Sequence, residues 1–313
     1  MAKSNTNRRQ FLRDTGLIAA GAIGGLAGGF FPAGAPAIET IPRNGKAKFK
    51  FSLAAYSYRT LLSGKTPEKT LDDFIRDCAG FGLEGTELTS YYFPKETTGE
   101  YLRHLKHLSF QLGLDVSGTA VGNDFCSPPG AERDKQIAGV KTWIDHAEVL
   151  GAPVIRIFSG SARGQQTEAE AHKLAVAGIE ECCDYAGKHG VFLALENHGG
   201  LTTKIDGLLT LVRDVKSPWF GVNLDTGNFQ GCSDEAEAYS DMARLAPYAL
   251  NVQVKVFIAL AGKKAPADFK KLAQIMSASR YRGYIVLEYE EKEPVQEACA
   301  KYLDELRKAF AAV

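Results

Sequence analysis

The feature that most constrains this chain is a set of four apolar runs that each end in an oxygen-bearing side chain. The clearest run, residues 191–200, reads VFLALENHGG, so that five apolar residues lead into Glu196, an amide, an imidazole and two glycines. The other three runs end at Asp225, Gln253 and Glu288. Continuous apolar runs of this length are typical of buried parallel strands. We therefore expect four neighbouring strands to carry these side chains to one end of a sheet.

Strand-like stretches alternate with amphipathic, helix-like stretches from Phe49 to the end of the chain. Eight stretches of each kind recur at intervals of about 30 to 40 residues, close to the length of a βαβ unit. This alternation predicts a parallel sheet with helices outside it. No Gly-x-Gly-x-x-Gly motif follows a strand, which argues against an open dinucleotide-binding sheet. We expect a single α/β domain over residues 48–313, a (β/α)8 TIM barrel.

The first 37 residues have the features of an export signal. Arg8 and Arg9 are followed by Phe-Leu, then by an apolar, glycine-rich stretch and a cluster of small residues. This order resembles a twin-arginine signal peptide. The resemblance implies export to the periplasm by the twin-arginine machinery, with no stable membrane insertion after cleavage; an uncleaved membrane anchor is the alternative. Residues 38–47 are expected to link this signal to the barrel.

Charge and cysteine content narrow the classes of partner. The chain has 37 basic and 37 acidic residues and no formal net charge, so a basic surface that tracks nucleic acid is not indicated. None of the six cysteines forms a Cys-x-x-Cys pair. We expect most of them to be buried free thiols, with a disulfide as the alternative. The sequence leaves the oligomeric state open.

The four predicted strand-end side chains would form an oxygen-rich site. Carboxylates crowded in a partly buried mouth cannot all stay ionised without a cation. Oxygen ligands suit Mn²⁺ or Mg²⁺, whereas zinc usually takes histidine or cysteine. Such a metal could act as a Lewis acid and stabilise the enediolate that forms when a proton leaves a carbon next to a carbonyl.

The succession Leu-Glu196-Asn-His, Leu-Asp225-Thr-Gly-Asn, Val-Gln253-Val-Lys and Leu-Glu288 resembles the sugar phosphate isomerase/epimerase superfamily with the xylose-isomerase-like barrel. The resemblance covers about residues 48–310. It implies one metal held by these four residues, with the two glutamates also exchanging protons with the substrate. The implied metal is Mn²⁺, with Mg²⁺, Co²⁺ or Zn²⁺ as alternatives. Gln253 departs from the epimerases of that group, which have histidine there.

Further polar residues near predicted strand ends are candidates for contact with a carbohydrate substrate. They are Glu87, Asn123, Arg156, His198 and Lys255, with Tyr58 as an additional candidate at the rim. Several have an alternative role. Arg156 could instead pair with a buried carboxylate such as Glu87, His198 could be structural, and Lys255 could form a plain ion pair or donate a proton.

These residues favour a divalent-metal-dependent sugar (ketose) isomerase or epimerase, with Glu196 and Glu288 as acid and base. A lyase or dehydratase acting on a keto-sugar is one alternative, because abstraction of the same proton can end in elimination. A catalytically silent sugar-binding barrel is another. DNA repair like that of endonuclease IV is disfavoured, because that enzyme type uses several histidines and only His198 lies at a predicted strand end here. Asn228 stands where the epimerases place a substrate-binding histidine.

Overall fold

Eight parallel strands close into a barrel in the computed structural model, which describes residues 40–313. The predicted (β/α)8 TIM barrel is therefore confirmed. The predicted signal peptide lies outside the described residues, so the signal, its cleavage and export stay predictions. Between residues 40 and 313 the chain contains no helix that is long and apolar enough to cross a membrane.

Ten strands are present in the described part of the chain. They are β1 Lys48–Ala54, β2 Gly85–Thr89, β3 Asp115–Ala120, β4 Val154–Ile157, β5 Phe192–Glu196, β6 Phe220–Asp225, β7 Ala249–Val254, β8 Phe257–Leu260, β9 Lys263–Pro266 and β10 Arg282–Leu287. The order around the barrel is β1-β10-β7-β6-β5-β4-β3-β2. The ring closes between the first and last strands, where Ser52 lies opposite Val286. Strands β8 and β9 form a separate antiparallel hairpin, which was not predicted.

A helix follows every barrel strand. These helices are Leu71–Gly80, Gly99–Gln111, Ala131–Leu150, Glu168–Ala186, Ile205–Asp214, Glu235–Leu245, Phe269–Ala278 and Val295–Phe310, and a short helix, Arg59–Leu62, precedes the first of them. The first long helix begins at Leu71. A capping box sets this start, because the side chains of Thr70 and Asp73 each accept a hydrogen bond from the other's backbone N–H.

Packing of the core shows that Tyr58 is not a rim residue, and it confirms that the cysteines are buried free thiols. Tyr58 is fully buried, with its ring 5.1 Å from that of Phe74, so it belongs to the core and not to the rim. All six cysteines are buried free thiols. In TIM barrels such apolar packing lies between the strands and the surrounding helices. The buried polar side chains at the mouth of the barrel are therefore exceptions within an apolar core.

The segment expected to be a linker is attached to the amino-terminal end of the barrel from residue 41 onward. Arg43 donates one hydrogen bond to the backbone oxygen of Ser279 at 2.9 Å and another to that of Ala249 at 2.8 Å. The backbone N–H of Ile41 donates to the oxygen of Pro247 at 3.2 Å. The Arg43 side chain thus joins the start of β7 to the loop before β10 at the base of the barrel.

We expect Arg43→Ala to lower the free energy of unfolding by about 1–3 kcal/mol, because hydrogen bonds from a charged donor are lost at two carbonyl groups. Chemical denaturation of both proteins would measure the change. Lys46→Ala is the matched control, because Lys46 is exposed. An equal effect of the two substitutions would show that this segment does not anchor the barrel.

Candidate active site

Three buried carboxylates lie at the carboxyl-terminal mouth of the barrel. Glu196 is the last residue of β5, Asp225 is the last residue of β6, and Glu288 directly follows β10. Their exposed fractions are 4%, 0% and 5%. We refer to these three residues as the carboxylate cluster. Active sites of TIM barrels are built at this end, so the structure brings these sequence-predicted residues to the expected place.

Lys255 lies among the acids of the mouth. Its Nζ is 2.6 Å from Glu288 Oε2, 2.7 Å from Glu290 Oε1 and 3.5 Å from Asp225 Oδ2. Burial alone would lower the pKa of Lys255, but the carboxylates of Asp225, Glu288 and Glu290 outweigh burial and raise it well above its usual value. The side chain is therefore an ammonium ion. Glu290 was not predicted, although it lies two residues after Glu288 and so on the same side of an extended chain.

Arg156, in β4, is the second cation of the mouth. Its Nε lies 2.9 Å from Glu196 Oε2, at an angle that makes an ion pair without an aligned hydrogen bond. Its Nη1 donates to the backbone oxygen of Val121 at 2.9 Å, and its guanidinium lies 4.0 Å from the ring centre of Phe158. Burial raises the pKa of Glu196 to about 7, and Arg156 opposes that rise. Arg156 thus pairs with a buried carboxylate, and its partner is Glu196.

Asp225 has one satisfied and one unsatisfied oxygen. Oδ1 accepts from the backbone N–H of Gly227 at 2.7 Å and from that of Asn228 at 3.1 Å. Oδ2 is buried and has no hydrogen-bond partner. Burial raises the pKa of Asp225 to about 7, with Lys255 opposing the rise. The Lys255 ammonium lies 3.5 Å from Oδ2, and the missing hydrogen bond leaves room for a closer cation or a ligand hydrogen.

Asn228 connects the two neighbouring strand ends. Its side-chain Nδ2 donates to Glu196 Oε1 at 3.2 Å, while its backbone N–H donates to Asp225. Asn228, which stands where the epimerases have a histidine, therefore contacts the carboxylate cluster through its side-chain amide.

Glu87 and Gln253 belong to a buried network below the cluster. Gln253 Nε2 donates to Glu87 Oε1 at 2.8 Å, and Asn251 donates to Glu87 Oε2 at 3.0 Å. The side-chain oxygen of Gln253 accepts a hydrogen bond from the Asn223 amide at 2.5 Å. Burial raises the pKa of Glu87 to about 7. Both oxygens of Glu87 and the oxygen of Gln253 are thus engaged, and ligation of a metal by Gln253 would require that its bond to Asn223 break.

The charges of the mouth and the network do not balance. The buried acids are Glu87, Glu196, Asp225 and Glu288, and the buried bases are Arg156 and Lys255. If all six were ionised, two negative charges would remain, which is costly in a buried site and is what one divalent cation would neutralise. Oxygen donors and the unsatisfied Asp225 Oδ2 also suit such an ion. The carboxylate cluster therefore fits a divalent cation in charge and donor type.

The present side-chain positions do not form a complete ligand sphere. In residues 40–313 no three His, Cys, Asp or Glu side chains are placed to hold a metal ion together. The acids are turned toward cations of the chain itself: Glu196 contacts Arg156, and Glu288 contacts Lys255.

Two asparagines fix the ends of neighbouring strands. The Asn123 amide donates to the backbone oxygen of Phe158 at 2.8 Å and accepts from its N–H at 2.9 Å. Asn197 does the same at Asp225, at 2.8 and 2.9 Å. Asn123, predicted to contact substrate, therefore has its amide committed to the backbone. His198 was also predicted to contact substrate, and its ring packs 4.5 Å from that of Phe158.

Sequence reasoning missed an aromatic wall beside the cations. The rings of Tyr56 and Tyr91 meet edge to face at 6.3 Å. The Arg156 guanidinium lies 6.0 Å from the centre of Tyr91, and the Lys255 ammonium lies 6.0 Å from that of Tyr56. Tyr91 is 47% exposed. Its position just after the end of β2 is the signal that could have identified it.

A cavity of ≈170 Å³ opens at this mouth between Lys255, Glu288, Glu290 and the β8–β9 hairpin. Lys264 of the hairpin pairs with Glu291 beside it. A larger cavity of ≈510 Å³ is lined by residues such as Lys50 and Phe110 at the opposite end of the barrel. Of these two cavities the smaller is the candidate site, because Glu288 of the carboxylate cluster lines it.

Gly227 makes room for the Lys255 stem. A Cβ atom at position 227 would lie 2.4 Å from Lys255 Cγ and 2.9 Å from the backbone oxygen of Phe257. No side chain fits at this separation, so a glycine in Asp225-Thr-Gly-Asn is required by the lysine that packs over it.

We expect Arg156→Met to lower the free energy of unfolding by about 3–5 kcal/mol, because it leaves Glu196 buried without its cation. The double variant Arg156→Met/Glu196→Gln should recover part of that loss. Denaturation of the two single variants and the double variant would measure the coupling. Additive effects of the two changes would show that the ion pair contributes nothing to stability.

Solved structures with the same fold include several enzymes that act on sugars. D-psicose 3-epimerase from Clostridium cellulolyticum H10, solved with D-tagatose, is 14% identical, with a TM-score of 0.68 over 83% of this chain and 99% of that one. A 3-keto-D-glucoside 4-epimerase from E. coli is 14% identical, with a TM-score of 0.63 over 84% of this chain and 100% of its own. A probable 3-DHS dehydratase from Bacillus anthracis is 20% identical, with a TM-score of 0.60 over 82% and 98%.

Sequence comparison places the chain more directly. No curated protein has a sequence that matches it. A family model described as the xylose isomerase-like TIM barrel matches residues 75–308, most of the chain. The protein therefore belongs to the xylose isomerase-like TIM barrel family.

Proposed function

We propose that this protein is a sugar isomerase or epimerase that moves a proton at a carbon next to a carbonyl group. The observation that carries the proposal is the pair of buried glutamates, Glu196 and Glu288, on different strands of one mouth. Each contacts its own buried cation, Arg156 or Lys255. Two positioned carboxylates are what a reaction needs if one group removes a proton and another returns it.

The proton transfer uses only groups of the mouth. One glutamate accepts the proton from the substrate carbon, and the electron pair of the C–H bond moves toward the carbonyl oxygen to give an enediolate. The other glutamate, which carries a proton at the start, returns it to carbon, and proton exchange with solvent then restores both glutamates, so the substrate is isomerised without net gain or loss of atoms. Arg156 holds the Glu196 carboxylate in place during both steps.

A divalent cation is part of the proposal. Glu196, Asp225 and Glu288 would hold it, with Gln253 as a fourth ligand if its amide turns away from Asn223. We propose Mn²⁺, with Mg²⁺, Co²⁺ or Zn²⁺ as alternatives. When bound, such an ion would stabilise negative charge on the substrate oxygens.

The substrate class is a small carbohydrate. Two of the structural neighbours are named as epimerases of D-psicose and of a 3-keto-D-glucoside. In this chain Tyr56 and Tyr91 present ring surfaces beside the charged groups, and such surfaces suit the C–H face of a sugar while the charged groups meet its oxygens.

We expect the protein to exchange a substrate proton with solvent, and Glu196→Gln or Glu288→Gln to slow this exchange by about 10²–10⁴-fold. The measurement is proton NMR of D-psicose, D-tagatose and D-fructose incubated with the protein and Mn²⁺ in D₂O. Glu181→Gln is the matched control, because Glu181 lies on the surface in a pair with Lys141. Unchanged exchange in both mouth variants would refute the proposed roles.

The same samples separate the two alternative functions. A lyase or dehydratase would convert a keto-sugar to a product with an unsaturated carbonyl, which absorbs in the ultraviolet. A catalytically silent sugar-binding barrel would bind these sugars and leave their C–H signals unchanged.

We expect Mn²⁺ to raise the stability of the wild-type protein, by about 2–3 kcal/mol at a hundredfold excess over Kd. Asp225→Asn should remove most of this effect, because Asp225 supplies the unsatisfied buried oxygen. Thermal denaturation with and without Mn²⁺ is the measurement, and exposed Asp184→Asn is the control. Equal stabilisation of all three proteins would place the metal elsewhere.

A further inference from the structure

The two cations of the mouth are held in different ways. Arg156 is fixed from several sides, since it contacts Glu196, donates to the backbone of Val121 and lies against the ring of Phe158. Lys255 is held at its ammonium group by carboxylates, and its stem passes over Gly227. Only the lysine can therefore move its charge by rotating a flexible side chain.

The carboxylates around Lys255 extend from the buried cluster to the rim. Glu288 Oε2 lies 2.6 Å from Nζ and Asp225 Oδ2 lies 3.5 Å from it, and both belong to the cluster. Glu290 Oε1, at 2.7 Å, belongs to a side chain that is 39% exposed. The ammonium thus stands between two buried acids and one acid that faces solvent.

The ammonium occupies the region that a divalent cation would need. A metal ion bound by Asp225 and Glu288 would lie within a few ångströms of Lys255 Nζ as it is now placed. Two cations this close repel each other strongly where water is largely excluded. Lys255 and a divalent ion cannot both hold these carboxylates in the present arrangement.

We infer that Lys255 is a displaceable counter-cation, which neutralises the carboxylate cluster when no metal is bound and swings outward when a divalent ion enters. The cavity of ≈170 Å³ that Lys255 and Glu290 both line provides the space for this movement. Glu290 would keep the ammonium paired in its outer position. This inference rests on the metal site of the proposed function and adds the residue that limits its affinity.

Removal of the lysine charge tests the inference. We expect Lys255→Met, which keeps the length of the stem, to bind Mn²⁺ at least about tenfold more tightly than the wild type, because no ammonium has to leave. Isothermal titration with Mn²⁺ alone, at constant ionic strength and without sugar, measures the affinity. Lys264→Met is the matched control, because that ammonium pairs with Glu291 outside the cluster, and its affinity should stay within about twofold of the wild type.

A Lys255→Met protein that binds Mn²⁺ no more tightly than the wild type would overturn the inference, and so would the absence of Mn²⁺ binding in both proteins. The first result leaves the proposed reaction untouched, whereas the absence of Mn²⁺ binding in both proteins would also remove the metal from the proposed function. Proton exchange in D₂O would still be measured separately, so failure of the counter-cation and failure of the proposed reaction can be told apart.

The wild-type protein provides a second measurement if Lys255→Met fails to fold. Acylation of lysines followed by mass spectrometry reports how accessible each amine is. Saturating Mn²⁺ should increase the modification of Lys255 and leave that of Lys264 unchanged. Equal modification of Lys255 with and without Mn²⁺ would overturn the inference.

Discussion

The candidate site depends on the balance of buried charge at the mouth of the barrel. Four acids and two bases are removed from water within a few strand ends of one another. Taking a charge out of water is costly, and a close partner of opposite sign offsets only part of that cost. The ion pairs of Glu196 with Arg156 and of Glu288 with Lys255 therefore decide where these side chains point. If all six groups are ionised, the two negative charges that remain are the reason to expect a further cation.

The backbone at the mouth is fixed, which leaves movement to the side chains. Strand ends have backbone groups that the sheet no longer pairs, and buried groups of this kind need partners. Asn123 supplies both partners to Phe158, and Asn197 supplies both to Asp225. These amides hold the positions from which the acids project. A site of this design can change its ligands without changing the barrel, because the strand ends stay in place while Lys255 moves.

Much of the fold was predictable because a parallel barrel leaves a strong pattern in the sequence. Strands buried on both faces read as continuous apolar runs, and Glu196, Asp225 and Glu288 follow such runs directly. The pairing of side chains was less predictable. Gln253 donates a hydrogen bond to Glu87, 166 positions earlier in the chain. The period of two in a strand shows which residues face inward, but it does not show which side chains they contact across the barrel. The β8–β9 hairpin was missed because each strand has only four residues and β9 begins with two lysines.

The close approach of Gly227 and Lys255 links two positions in different loops, one after β6 and the other after β7. Any side chain at 227 would collide with the lysine stem. A shorter residue at 255 would not remove the collision, because the added atom would still lie 2.7 Å from the Cβ of residue 255 and 2.9 Å from the backbone oxygen of Phe257. Redesign of the mouth for bulkier ligands should therefore keep glycine at 227 and vary other positions around the cavity.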